Sequence, residues 1–187
     1  MDIYLIRHTK TATGPGLCYG QSNVELADSF PEEARQLQQK LPELKSNTLV
    51  FSSPLPRCKQ LAESFSSAVT TDARLLELDF GDWEGLRFDA IEAATLQQWT
   101  NNFVHTAPPN GESFIDLYKR AGCFWQDLLN REAEQALIIT HAGVIRALLA
   151  HILTLPPANA FQFRIDPGSV HKFQYLDNYT YINYINK

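Results

Sequence analysis

"YLIRHTKT", residues 4–11, runs from an apolar stretch into a polar tip, and its reading decides the fold. The run "IYLI" (3–6) is continuous rather than alternating, the pattern of a strand covered on both faces. It delivers Arg7 and His8 at its end, and small or flexible polar residues follow. A lone histidine at a strand end is ordinarily a structural residue that has reached solvent or a hydrogen bond. The alternative is the floor of an anion site with His8 as a nucleophile. What the neighbouring strands deliver decides between the two.

Two further runs share the buried pattern, "TLVF" (48–51) and "ALIIT" (136–140). "RLLEL" (74–78) reads as a fourth strand. "HKFQYL" (171–176) and "TYINYI" (180–185) read as a C-terminal pair joined by a turn at Asp177-Asn178. Helical spacing lies between the strands. "PEEARQLQQKL" (31–41) carries Ala34, Leu37 and Leu41 on one stripe, after a Pro31 suited to a helix start. "SPLPRCKQLAESF" (53–65) predicts Ser53 as N-cap, Pro54 at the first helical position, and a stripe of Leu55, Cys58, Leu61, Ala62 and Phe65. "SFIDLYKRAGCFWQDLLNR" (113–131) repeats the spacing with Phe114, Leu117, Ala121, Phe124 and Leu128. A shorter helix is expected from about Val144 to Leu153. Strands alternating with helices predict an α/β chain whose mostly parallel sheet is covered on both faces. Residues 86–112 break the rhythm and read as small helices plus a Pro-Pro-Asn-Gly loop, inserted as a lid.

The bulk properties narrow the choices. A chain of 187 residues, 44% hydrophobic and 20% charged, is long enough for one well-packed domain spanning 1–187. Its formal net charge of −5 gives no general attraction to nucleic acid or to anionic lipid, so neither is an expected partner. The three cysteines, Cys18, Cys58 and Cys123, are odd in number and form no CxxC pair. That suits a reducing cytoplasm, with Cys58 and Cys123 as small core residues on helical stripes. The chain opens on a strand pattern without a leader, and no run approaches the ~20 apolar residues of a membrane span.

Ligands of open α/β sheets bind at the carboxyl ends of the strands. There the first strand offers Arg7-His8, and the second leads through "SSPLPR" to Arg57. "ALIITHAG" ends in His141, ahead of Gly143 and a helix start. The 74–78 run leads into "ELDFGDWEG", with Glu77, Asp79, Asp82 and Glu84. Guanidinium groups match the oxygens of phosphate or carboxylate, and helix N-termini after Ser53 and Gly143 would add N–H donors. Positive neighbours favour neutral imidazole at His8, with a lone pair able to attack phosphorus. Arg7, Arg57 and His141 would balance charge on the transferring oxygens. Glu77, just before the turn at Gly81, is the expected proton donor to the leaving oxygen. Side chains adjacent along a strand point to opposite faces, so Arg7 and His8 converge only if the chain turns there.

"LIRHTKT", "SSPLPRCKQLAE", "ELDFGDWEG", "GES" and "ITHAGVIRALL", in this order, resemble the histidine phosphatase superfamily, the phosphoglycerate-mutase-like proteins. The resemblance covers residues 3 to about 153. It implies a three-layer α/β/α sandwich with a mixed, mostly parallel sheet, a phosphohistidine on His8, and neither metal nor cofactor. It places Arg7, Arg57 and His141 on the phosphate and Glu77 as proton donor. "GLCYGQSNVEL" (16–26) is similar to the alpha-ribazole phosphatase branch, which implies a small nucleotide-like phosphate ester as partner and a place in cobalamin assembly. A broad-specificity phosphatase and a phosphoglycerate mutase are the alternatives within the superfamily. The short insertion between Gly85 and Gly111 leaves little chain for a mutase lid. A metal-dependent hydrolase using His8 and His141 lacks an HxH, HExxH or Asp-rich ligand set. Thr9 and Lys10 stand where the family pattern has Gly and an acidic residue, and Gly14 stands at its Asn. The Thr13 hydroxyl or the Gly14 N–H is the expected substitute for that missing phosphate ligand. Asn23 stands where the branch often has Asp. Tyr19, Trp83, Phe88, Trp99 and Phe103 are open to two readings, a ring platform for a base or local core.

Overall fold

The computed structural model describes residues 1–187. The apolar runs become a six-stranded sheet of order β3-β2-β4-β1-β5-β6. Its strands are β1 (Asp2–Arg7), β2 (Leu49–Ser52), β3 (Thr70–Thr71), β4 (Gln135–Thr140), β5 (Val170–Leu176) and β6 (Tyr179–Tyr184). β3, β2, β4 and β1 run parallel, β5 pairs antiparallel with β1 and β6 antiparallel with β5, so the sheet is mixed and mostly parallel. The turn between β5 and β6 holds Asp177 and Asn178 at φ 52° and 61°. Asp and Asn tolerate that left-handed backbone better than most residues, which is why a two-residue hairpin closes here.

Strand pleating sends alternate side chains to opposite faces. Ile3 and Leu5 of β1 with Ala136 and Ile138 of β4 face α4 (Phe114–Leu129) and α5 (Ala142–Ile152), in the larger core. Tyr4 and Ile6 with Leu137 and Ile139 face α1 (Phe30–Lys40) and α2 (Pro56–Glu63), in the smaller one. The result is a three-layer α/β/α sandwich whose two central strands, β1 and β4, are covered on both sides. Each fully buried Leu, Ile or Phe contributes about 1.5–3 kcal/mol of transfer free energy. Residues 86–112 hold a 3₁₀ turn (Phe88–Ala90) and α3 (Ala93–Asn101), packed through Trp83, Ile91 and Trp99. No helix is long and apolar enough to cross a membrane.

Three expectations are corrected. "RLLEL" is not a strand: Ala73–Leu75 is a 3₁₀ turn and the rest is extended without a ladder. Arg120 of α4 takes the carbonyls of Arg74, Leu76 and Glu77, and the Thr140 hydroxyl takes that of Leu75. Those acceptors are therefore not free to pair with a neighbouring strand. The second helix starts at Pro56 with Leu55 as N-cap, not at Pro54 after Ser53. A residue before proline is driven out of the helical region, and Leu55 sits at φ −64°, ψ 135°. Cys123 is exposed, one position off the buried stripe of α4, whereas Cys58 and Cys18 are buried. The two-residue β3 has no counterpart among the strands expected from the sequence.

Candidate active site

A cavity of about 320 Å³ opens at the carboxyl ends of β1 and β2. Arg7, His8, Arg57, Glu77 and Arg146 supply its polar lining, and Leu17, Tyr19, Phe80 and Phe88 its apolar wall. A larger cleft of about 500 Å³ beside α4 and the β5–β6 turn contains His151 but no arginine. Arg7 and His8 both line the smaller cavity, as convergence requires. β1 ends at Arg7, and the His8 N–H still reaches the Thr140 carbonyl at 3.0 Å.

His8 is 3% exposed, and its Nδ1 lies 2.7 Å from the Thr9 carbonyl. A carbonyl only accepts, so Nδ1 carries the hydrogen and Nε2 keeps its lone pair. Burial first, then the positive charges of Arg57 and Arg7, lowers the His8 pKa to about 3. His141 lies behind it, fully buried, with the ring centroids 5.2 Å apart and edge-on. Its Nε2 is 2.8 Å from Ser53 Oγ and 3.4 Å from Cys58 Sγ. Burial, reinforced by His8 and the arginines, keeps it neutral as well, and burial pushes the Cys58 thiol up. His171 on β5, also buried, is lowered to about 4.

These histidines are neutral when folded yet protonate near pH 6.5 once unfolded. Between those values the unfolded chain binds more protons, so stability falls as pH falls. The urea midpoint is expected to hold above pH 7 and to decline steadily from about pH 6.5 towards pH 4. A midpoint unchanged from pH 7 to pH 5 would contradict neutral burial.

Each arginine is braced on main chain and not on a carboxylate. Arg7 Nη1 donates to the Ile165 carbonyl at 2.7 Å. Arg57, 1% exposed, donates Nη1 to Ser22 at 2.9 Å and Nη2 to Gly20 at 2.5 Å. Its burial lowers its pKa. The Nε–H groups of both arginines are buried without a protein partner. Unsatisfied buried donors are costly, and an anion in the cavity is the natural acceptor.

Of the four carboxylates in "ELDFGDWEG", only Glu77 lines the cavity. Its Oε1 accepts from the Leu78 N–H at 2.9 Å and its Oε2 from the Gly143 N–H at 3.1 Å. The first-turn N–H of α5, expected to meet an anion directly, thus holds Glu77 instead. Only glycine permits this approach, since a Cβ at position 143 would lie 2.3 Å from Glu77 Oε1. Asp79 accepts from the Gly81 N–H, and exposed Asp82 accepts from Asn110. Glu84 turns away from the cavity and binds the loop at residues 21 and 22. No three His, Cys, Asp or Glu side chains gather in a way that could hold a metal ion.

Thr13 and Gly14 do not line the cavity. The Thr13 hydroxyl pairs with Thr11 at 2.6 Å, and Thr11 reaches the Tyr19 hydroxyl at 3.1 Å. Lys10 points outward to Glu33 at 3.5 Å. Tyr19 and Phe88 belong to the cavity wall, while Trp83 and Trp99 stack edge-on within the lid core. Arg146 is a site residue that the sequence motifs do not announce. Its Nε donates to the Phe163 carbonyl at 3.1 Å, and its guanidinium lies 5.0 Å from the Phe161 ring. A signal is available: a charge inside the otherwise apolar "AGVIRALLA" needs a reason to be there.

Comparison with known proteins is consistent with this geometry. The pattern of the histidine phosphatase superfamily (branch 1) matches residues 3–187. The adenosylcobalamin/alpha-ribazole phosphatase of Escherichia coli K12 is 30% identical over 177 residues, covering 90% of this chain and 87% of that protein. A putative phosphoserine phosphatase 2 of Hydrogenobacter thermophilus is 25% identical over 193 residues, covering 99% and 95%. The crystal structure of an alpha-ribazole phosphatase from Shigella flexneri superposes with a TM-score of 0.92 at 28% identity, covering 100% of this chain and 96% of that one. The chain belongs to the histidine phosphatase superfamily, branch 1.

Proposed function

We propose that the chain is an alpha-ribazole-5′-phosphate phosphatase of cobalamin assembly that works through a phosphohistidine on His8. One observation carries the chemistry. Neutral His8, with Nε2 bare, shares the cavity with two guanidinium groups whose buried Nε–H donors have no protein partner. His8 Nε2 attacks phosphorus while Arg7 and Arg57 hold the non-bridging oxygens; His141, fully buried and outside the cavity lining, backs His8 with its edge-on ring rather than meeting the phosphate as the resemblance implies. As the bond to the leaving oxygen breaks, Glu77 gives that oxygen its proton. Glu77 then takes a proton from a water that attacks the phosphohistidine, and phosphate leaves as the P–N bond breaks. Thr13 and Gly14 stand outside this set. The chain acts as one domain over residues 1–187, with 86–112 as its lid, and its free cysteines suit the cytoplasm.

The nucleotide-like substrate is supported by the Escherichia coli relative and by the wall of Leu17, Tyr19, Phe80 and Phe88, a surface on which a flat base can lie. A second reading is a broad-specificity phosphatase that also takes other small esters, phosphoserine being the one named for the Hydrogenobacter relative. A panel of phosphate esters, each with and without EDTA, tests both. Alpha-ribazole 5′-phosphate is expected to give the highest kcat/KM, unaffected by EDTA and inhibited by vanadate. Faster hydrolysis of phosphoserine would favour the second reading, and loss of activity with EDTA would overturn the metal-free mechanism.

A further inference from the structure

Glu84 does not touch the cavity, yet it accepts more hydrogen bonds than any other carboxylate near it. Oε1 accepts from the Gln21 N–H at 2.7 Å and the Phe80 N–H at 3.2 Å. Oε2 accepts from the Ser22 N–H at 2.5 Å and from the Ser22 hydroxyl. Burial opposes ionisation here, but the bonds from Ser22, Gln21 and Phe80 outweigh it and hold the carboxyl below the usual range. Glu84 is therefore a fixed negative charge clamped to the loop at residues 20–22.

The other side of that loop faces Arg57. The Gly20 and Ser22 carbonyls accept from its two terminal nitrogens. One peptide unit does both jobs at once. The Gly20–Gln21 peptide receives Arg57 at its oxygen and gives its N–H to Glu84. In a planar trans peptide the two groups point in opposite directions, so the unit bridges carboxylate and guanidinium in a line. Each bond in such a chain polarises the next. Close packing of the loop depends on Gly20, where a Cβ would lie 1.8 Å from the Leu78 carbonyl and 2.9 Å from Glu84 Oε1.

We propose that Glu84 is a positioning residue for the phosphate clamp: a counter-charge held one peptide away from Arg57, fixing its guanidinium without competing for its Nε–H. A carboxylate in direct contact would take the donors that phosphate needs. Glu77, in the same cavity, acts on the Arg57 charge more strongly than Glu84 does, so the part left to Glu84 is to hold the loop that grips a cation 1% exposed. Interposing a peptide supports the charge and leaves one face of the fork free. The inference rests on Arg57 being a phosphate ligand.

A double-mutant cycle on vanadate inhibition tests it, with Glu84→Gln, Arg57→Ala and the pair. An amide at 84 opposes its own N–H₂ to donors that the carboxylate accepts, so the loop loses its grip on Arg57. Glu84→Gln is expected to raise the vanadate Ki and the KM about tenfold or more, with a smaller change in kcat. In the Arg57→Ala background the same substitution is expected to change Ki less than twofold. A merely structural Glu84 would give independent effects that multiply, and that outcome overturns the inference alone. Unchanged inhibition in Arg57→Ala would overturn the phosphate clamp and this inference with it. Should Glu84→Gln not yield folded protein by circular dichroism, Ser22→Ala runs the same cycle. It removes one donor to Glu84 while leaving the backbone bonds, and is expected to raise Ki about threefold only when Arg57 is present.

Discussion

His8→Ala abolishes turnover, lowering kcat by at least ~10³-fold, and with it the acid-labile phosphoryl label left by substrate. The expectation follows from the position of Nε2. The hydrogen on Nδ1 is fixed by the Thr9 carbonyl, so the second nitrogen is a bare nucleophile at neutral pH without help from a base. No neighbouring group can take over. His141 is completely buried behind His8 with its Nε2 bonded to Ser53, and Cys58 is a protonated thiol in the same interior. The fold is expected to survive, because what ties position 8 into the sheet is its main chain. Its N–H meets the Thr140 carbonyl and its own carbonyl receives the Gly168 N–H, independently of the ring. Quenched-flow trapping with a labelled ester separates the possibilities. Persistent label on the variant would transfer the nucleophile's role to another side chain.

Glu77→Gln is expected to slow hydrolysis of alkyl phosphates by ~10²–10⁴-fold while an activated aryl phosphate loses less than ~10-fold in phosphoryl transfer to the enzyme. A poor leaving oxygen needs a proton as its bond to phosphorus breaks, whereas a stabilised phenolate does not. The amide of the variant has no proton to give. It also sits badly: Leu78 and Gly143 both present N–H donors to the two oxygens, and an amide can satisfy only one. Burst kinetics with both ester classes separates the steps, because the variant should also be slow to activate water against its phosphohistidine. Equal losses for good and poor leaving groups would remove Glu77 from the proton-transfer role. Asp82, exposed and bonded to Asn110, is a poor replacement, and so is Glu84, committed to residues 21 and 22.

The elements legible in the sequence are those whose reason is local. Every residue of β4 is buried, so "ALIIT" has no solvent face to confuse it. The α4 stripe from Phe114 to Leu128 is readable for the complementary reason, a buried face of helical period. Arg7, His8, Arg57 and His141 stand out because strand ends and the turns after them share one edge of an α/β sheet. What escapes is set by distant partners. Nothing within "RLLEL" reveals that Arg120, some forty residues on, will occupy its carbonyls. Ser53 has the chemistry of a helix cap, but Pro56 delays the helix and leaves the hydroxyl for His141. Cys123 lies beside Phe124 in sequence and about 100° away around the helix, and that angle is the difference between core and solvent. Thr13 and Gly14 follow from a motif offset, and an offset carries no information on which way a loop leaves a strand.

The sheet order has a consequence during synthesis. β1, made before the other five strands, leads directly into His8, the proposed nucleophile, and sits between two strands made much later. Ile3 pairs with Ala136 of β4 on one side and Phe173 of β5 on the other, and the terminal amine of Met1 bonds the Tyr175 carbonyl. At ~5–20 residues per second the nascent strand waits on the order of ten seconds for its first neighbour, with Ile3, Leu5 and Ile6 uncovered. Such non-local pairing is slow to close and open to wrong partners meanwhile. The half-made chain thus needs shielding at β1, and the candidate site lacks Arg146 and the Ile165 carbonyl that braces Arg7 until the last quarter of the chain has been made.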